Sequence, residues 1–464
     1  MRIRGAHLLA SIAALLWVAA PSHADDPAST AVLAAPSVAD IDDPAARMRT
    51  TVLPNGLTVL TLEDRATPVV SFQMLVKVGS RDEARYTGLA HLFEHMMFKG
   101  SKNVEPERHA QLVNARGGNV NAYTSQDHTV YFEDIPSEAL ELVIELEHER
   151  VAHLEISEET LFSERDVVLE ERRMRTEDRP MGRGIEALLA LTFQAHPYRW
   201  PIIGWRSDIA KATVEVCQEF FDTYYAPNNM ILAIAGDFDA ASALATIERT
   251  FGRLEPSTVP RSPTEEPVQQ GARRSVVHFE ARAPLLLAAW HAPPSGHADA
   301  EALDVLSSVL SAGRSSRLYR KIVYEAERAL SVGGSYWELS DAGIFYILGN
   351  VRPGESVDVV EALFLEEIED VKRNGVTEDE VAKAKRQLEV SLVNGLATSH
   401  SLAQRMAVEV ANFGRVRPLA ERLGAIYAVT PEDVQRVART YLRDDKRSTV
   451  HVVAPPNEAE AAEQ

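Results

Sequence analysis

Cysteine is nearly missing: Cys217 is the one cysteine in 464 residues. That excludes an intramolecular disulfide and any thiolate-based zinc site. Its surroundings, Glu-Val-Cys-Gln-Glu-Phe-Phe, read as a helix face carrying a buried structural thiol. Positive charge is also scarce. The 48 Lys and Arg residues stand against 68 Asp and Glu, a formal net charge of -20. This argues against nucleic acid or an anionic membrane surface as partner. An acidic surface suits basic peptides, and it equally suits plain solubility. The apolar run at 8–20 falls short of the about 20 residues that span a bilayer. It follows a basic Met1-Arg2-Ile3-Arg4 and ends at Ser22-His23-Ala24, the pattern of a cleaved secretory signal over 1–24. With no lipobox cysteine, the expectation is a periplasmic protein without an integral span. Residues 25–46, rich in Ala, Pro, Asp and Ser, are expected to form a flexible lead-in.

The chain is too long for one compact core, so at least two domains are expected. Residues 50–60 read as strand-turn-strand with Asn55-Gly56 at the turn. A strand is expected over 69–78, helices over 88–98 and 105–116, and one or two strands over 119–133. Long helices follow over 137–151 and 157–175. Four prolines between 255 and 271, without apolar periodicity, mark a linker. On either side the sequence repeats itself. The helix opening at Thr213 and its strand over 230–235 match the helix opening at Thr430 and its strand over 448–453. The helices lie at an offset of 217, with Thr223-Tyr224 on Thr440-Tyr441, and the strands that follow lie within one residue of it. The helix ending at Gly100-Ser101 has a counterpart ending near Gly313. An internal duplication of an α+β unit accounts for this. The expected domains are 47–254 and 272–458, with a tail at 459–464.

The stretch His91-Leu92-Phe93-Glu94-His95 carries the chemistry. On a helix, positions four apart share a face, so two imidazoles can meet one ion and Glu94 lies beside them. A catalytic zinc needs three protein ligands and one open position, and a carboxylate that is not a ligand can take a proton from water. The helix is otherwise apolar, so these polar groups interrupt a face that would be buried and need a partner there. The third ligand is sought on the Glu-rich helix after 157. Leu161, Glu164, Val168 and Glu171 share a stripe, while Glu170 turns away with the charged face. Glu171 is thus the candidate ligand, with Glu164 behind it as support.

These residues resemble the pitrilysin/insulinase family of zinc peptidases. Its motif is an inverted H-x-x-E-H followed some seventy-odd residues later by a glutamate within an E-x6-E pair. Here the intervals are 76 residues from His95 to Glu171 and seven from Glu164 to Glu171. Further similar stretches are Leu53-Pro-Asn-Gly-Leu, Gly117-Gly-Asn-Val-Asn-Ala-Tyr-Thr, His196-Pro-Tyr and Tyr225-Ala-Pro-Asn-Asn-Met. Length and duplication look like the processing-peptidase branch. The resemblance implies two homologous α+β domains, each an antiparallel-rich sheet flanked by helices. It implies one Zn2+ per chain, held by His91, His95 and Glu171, with Glu94 as catalytic base. It also makes 119–123 an edge strand to which an extended peptide adds, at Asn121, Ala122 and Tyr123. His128, His148, His153 and His196 lack helical spacing to the motif and read as surface or satisfied core residues. One departure matters. The Arg and Tyr that active members carry in the second domain fall here on Val323 and Leu330. The expectation is therefore the zinc-bearing partner of a metal-less homologous subunit that supplies the pair. The other reading is a homodimer drawing on Arg314 or Tyr324. A non-catalytic peptide-binding or scaffold homologue is the alternative from another class.

Overall fold

The computed structural model describes residues 43–261 and 264–456. The signal at 1–24, the lead-in up to residue 42 and the tail at 459–464 lie outside the described residues. In chain order the first half holds β1 (Arg49–Val52), β2 (Thr58–Glu63), β3 (Val69–Val76), α1 (Leu89–Met96), α2 (Arg108–Asn114), β4 (Asn119–Thr124) and β5 (Thr129–Pro136). It continues with α3 (Leu140–His153), α4 (Glu158–Arg172), α5 (Pro180–Thr192), α6 (Arg206–Ile209), α7 (Val214–Tyr224), β6 (Met230–Gly236) and α8 (Ala240–Arg249). The second half holds β7 (Arg273–His278), β8 (Leu285–Ala292), α9 (Ala300–Ser311), β9 (Ala329–Trp337), β10 (Gly343–Val351) and α10 (Val357–Asn374). It closes with α11 (Glu378–Asn394), α12 (Ser399–Phe413), α13 (Leu419–Ala428), α14 (Pro431–Tyr441) and β11 (Arg447–Val453).

The halves form two sheets of the same plan, β1-β2-β6-β3-β5-β4 and β7-β11-β8-β10-β9. Without β1 the orders superpose strand for strand. In each, one pair is parallel (β2 with β6, β7 with β11) and the rest run antiparallel. Local chemistry repeats too. Thr213 caps α7 through Val216 N, and Thr430 caps α14 through Asp433 N. Such caps supply acceptors to the unpaired amides of a first helical turn. The fold is thus a duplicated α+β unit, as the repeat at offset 217 predicts.

Each sheet is covered on both faces, and one cover comes from the other half. Helix α12 lays Leu402, Ala403, Met406 and Ala407 on Leu60, Leu62, Leu75, Ile231 and Ala233 of the first sheet. Helix α5 lays Leu188 on Leu285, Leu287, Val450 and Val452 of the second. At Gly184 of α5 a Cβ would come 2.8 Å from Leu287 Cδ1, so glycine permits this close approach. Burial on both faces explains why β6 is apolar throughout, with every residue buried, instead of alternating. A polar seam also joins the halves. Arg81 Nη1 meets Asp127 Oδ1 (2.8 Å) and, from the second half, Asp341 Oδ2 (3.0 Å). The Ser340 N–H donates to Asp127 Oδ2 at 3.0 Å.

Candidate metal centre

Helix α1 starts at Gly88, whose φ of +91° is left-handed backbone and whose Cβ, if present, would lie 2.7 Å from Ile203 O. Glu83, buried below, accepts from Gly88 N (2.8 Å) and Ala90 N (2.9 Å). Its carboxylate thus satisfies amides of the first turn. Burial pushes the Glu83 carboxyl well above the usual range. Leu89, Leu92, Phe93 and Met96 sink into the core, and Phe93 stacks on Phe220 at 5.3 Å. This sets the helix's rotation and turns His91, Glu94 and His95 toward α4. There Leu161, Glu164 and Val168 are buried on the inward stripe, while Glu170 stays about half exposed.

The two helices bring the candidate ligands together. His91 Nε2 lies 3.8 Å from Glu171 Oε1 and His95 Nε2 lies 3.2 Å from Glu171 Oε2. One donor atom from each residue falls within 4.8 Å of the others. The imidazole centroids are 5.0 Å apart. His95 Nδ1 faces Glu164 Oε2 at 3.5 Å, and Lys99 Nζ sits on Glu164 Oε1 at 3.1 Å. Glu94, 6% exposed, accepts from Thr124 Oγ1 at 2.7 Å. Arg175, one turn past Glu171, places Nη1 2.5 Å from Glu171 Oε1.

The charges respond to this crowding. Burial, helped by His95, drags the His91 imidazole down to about 3. Burial also opposes charge on His95, but hydrogen bonds to Glu164 and Glu171 overcome it and push this ring up to about 9. Against burial, the His95 hydrogen bond and the charges of His91, His95 and Arg175 hold Glu171 down to about 2. Burial raises Glu94 to about 6, though the Thr124 hydrogen bond pulls the other way. His91 Nδ1 is buried without a hydrogen-bond partner. Two imidazoles and one carboxylate are the donor set of an open tetrahedral zinc site, so these residues fit the ion.

Among the described residues two other groups combine the same residue types, and each contains its own cation. His109, Glu133 and Glu147 converge in the core, but buried Arg150 donates through Nε to Glu147 Oε2 at 2.9 Å and lies 3.6 Å from Glu133. Asp358, Glu361 and His451 converge on the second sheet, where Arg274 and Arg447 lie 3.5 and 3.4 Å from Glu361. A divalent ion in either would face a resident guanidinium.

Strand β4 is the outer strand of its sheet. Ala122 and Thr124 are buried on the side of α1. The Tyr123 side chain lies on the other face, where its hydroxyl accepts from Gln404 Nε2 of α12 at 3.1 Å. Tyr123 is therefore held by the fold, and its backbone is the part on the strand edge. Asn121 Oδ1 accepts from Ala122 N at 2.9 Å. Among the set-aside histidines, His196 is buried in the seam, with Nδ1 accepting from Tyr198 N and Nε2 3.5 Å from Asp341. His148 and His153 face each other at 6.3 Å. Cys217 is buried, and burial pushes its thiol up to about 12. In the second half Val323 packs against the core, while Leu330 and Tyr324 are 55% and 75% exposed.

Four residues at the site are missing from the sequence analysis, among them Lys99, four residues past His95. Thr124 was within reach through the alternation of β4 with Ala122, and Arg175 through its four-residue interval from Glu171. Glu83 precedes α1 across a loop, and no periodicity points to it.

The chain thus consists of two duplicated α+β halves, one of which carries a helix pair with converging histidines and a glutamate. Residues 58–205 match the Insulinase (Peptidase family M16) domain, and residues 211–388 match the Peptidase M16 inactive domain. The chain belongs to peptidase family M16, the insulinase family. It is 30% identical to the zinc protease PqqE of Helicobacter pylori over 404 residues, covering 86% of this chain and 91% of that protein. It is 33% identical to an uncharacterized zinc protease of Mycobacterium tuberculosis over 407 residues, covering 86% and 92%. A crystal structure of a protease from Helicobacter pylori superposes with a TM-score of 0.84 at 29% identity, covering 88% of this chain and 99% of that one. A peptidase M16 inactive domain from Pseudomonas fluorescens shares the fold, with a TM-score of 0.80 at 20% identity over 88% and 98%. Among the described residues no helix is long and apolar enough to cross a membrane.

Proposed function

We propose that this chain is a zinc-dependent endopeptidase that hydrolyses peptides or unfolded protein segments in the periplasm. The carrying observation is the convergence of His91, His95 and Glu171 within 4.8 Å, with Glu94 on the same helix. These three residues would hold one Zn2+, which supplies a Lewis acid for the attacking water and the scissile carbonyl. Glu94 takes the proton of the attacking water and returns it to the leaving amine. Thr124 holds one Glu94 oxygen, leaving the other for this transfer. Glu164 orients His95, and Lys99 balances the charge of Glu164. An extended substrate adds to β4, where the carbonyl of an incoming strand takes over the Ala122 N–H now held by Asn121. Main-chain pairing of this kind accepts many sequences, which suits unfolded segments. The location rests on the signal pattern at 1–24.

The chain is read as the zinc-bearing member of a pair. Its second half has no H-x-x-E-H, and Val323 and Leu330 stand where the family resemblance places the Arg and Tyr of active members. The partner is a homologous subunit without the metal motif or a second copy of this chain. Glu94→Gln should abolish hydrolysis of a fluorogenic peptide while the protein still carries zinc. His91→Ala, His95→Ala and Glu171→Ala should each lose the metal. Full activity in Glu94→Gln would end this reading. The intact ligand set argues against a scaffold role.

A further inference from the structure

Arg175 stands out among the cations around the centre. Arg172 is committed to Glu186 (2.7 Å) and to Gly204 O (2.8 Å). Arg173 is tied to Glu170 and Asp178, and Lys99 to Glu164 and Glu107. Among the described residues the one ion pair of Arg175 is with Glu171, and its side chain keeps 32% of its surface exposed. It sits in a widened π-helical turn, Arg173–Glu177, directly after α4. Such turns recur at functional sites.

Charge counting makes the position informative. Glu171 carries one negative charge. Once a divalent ion shares that carboxylate with two neutral imidazoles, its second charge is matched by Glu94 and Glu164 is matched by Lys99, so the guanidinium beside Glu171 lacks a counter-charge of its own. The group that develops negative charge at this place is the scissile carbonyl oxygen. The second half offers that oxygen little, since positions 323 and 330 are apolar and Tyr324 points into solvent at 75% exposure.

We propose that Arg175 binds the scissile carbonyl oxygen as it becomes an oxyanion, so that the chain supplies in cis the cation its second half lacks. This rests on the zinc-peptidase reading above. The oxygen of water forms a bond to the carbonyl carbon, and Glu94 takes its proton. The carbonyl π pair moves onto oxygen, which accepts N–H hydrogen bonds from the forked guanidinium. The pair then returns, the C–N bond breaks, and the proton held by Glu94 goes to the nitrogen.

The test compares wild type with Arg175→Met and Arg175→Lys. It reads zinc content, kcat and KM on a fluorogenic peptide, and the Kd of a phosphinic peptide that mimics the hydrated amide. Arg175→Met should keep one zinc per chain, with KM nearly unchanged and kcat down about 10²- to 10³-fold. Its phosphinic-peptide Kd should weaken by a similar factor. Arg175→Lys should recover part of both. A kcat and phosphinic-peptide Kd within threefold of wild type would overturn the proposal. So would loss of zinc, which would make Arg175 a brace for Glu171. If the wild type carries zinc but does not cleave alone, the phosphinic-peptide comparison alone decides. A wild type that binds no zinc would instead defeat the underlying reading.

Discussion

Helices α1 and α4 of the first half and α9 and α11 of the second are matching pairs with different contents. Between the first pair, His95 Nε2 faces Glu171 Oε2 at 3.2 Å. Between the second, Ser308 Oγ donates to Gln387 Oε1 at 2.9 Å. A neutral hydroxyl and amide satisfy each other and ask for nothing more. Two imidazoles and a carboxylate leave charge and lone pairs that need an ion or a proton. The backbone frame thus tolerates either solution, and side-chain chemistry alone decides which half can hold a metal. Helices α1 and α9 also each carry an acid above its usual range. Burial lifts Glu94 on α1 to about 6, and burial together with Glu338 and Glu301 lifts Asp304 on α9 to about 7.

The strongest way to break this contrast is at Glu94. Glu94→Gln should cut kcat by about 10³-fold or more, measured on a peptide substrate, whereas Gln387→Leu should leave kcat unchanged. Equal losses would mean that the halves share the chemistry. Next comes the metal itself. Zinc at about a thousand times its Kd should stabilise the wild type by about 4 kcal/mol. A scan of Tm with and without chelator should show no such shift in Glu171→Ala. Helix capping gives a smaller effect. Glu83→Ala strands two buried amides and should cost about 2–3 kcal/mol in chemical denaturation. Helix α9 receives no side-chain cap from Asp299, so Asp299→Ala should not disturb it in that way.

Asp304 sharpens the contrast through pH. Its folded pKa lies above the ordinary carboxylate value, so the folded chain holds this proton more tightly than the unfolded one. Its contribution therefore favours folding at low pH and is lost as pH rises toward about 7. Asp304→Asn should raise Tm at pH 8, with the gain shrinking to nothing near pH 4. An unchanged difference across that range would place the acid in contact with water. The smallest effect is expected at Ser308→Ala, about 1 kcal/mol of stability with kcat intact.

Much of the frame was legible because periodicity and caps are local. Thr213 and Thr430 announced the repeated helices, and the stripe of Leu161, Glu164, Val168 and Glu171 announced which carboxylates face inward. The five-residue motif on α1 located the centre without tertiary information. What escaped depends on contacts far apart in the chain. Glu83 reaches α1 across a loop, and Thr124 meets Glu94 between strand and helix. Tyr123 reads as part of a binding edge, yet its side chain is taken by Gln404, 281 residues later. The helix exchange between halves left no sign in composition, since α5 and α12 are ordinary amphipathic helices within their own sequence neighbourhoods.

That exchange changes what the proline-rich connection at 255–271 is for. Each sheet would be left with a bare apolar face if the polypeptide were divided there and the pieces pulled apart. A protease nick in the connection should therefore yield two fragments that co-elute on gel filtration, and neither fragment made by itself should stay monomeric. The two halves hold one another like clasped hands, and co-elution after the nick would show the covalent strap between them to be dispensable once folding is complete.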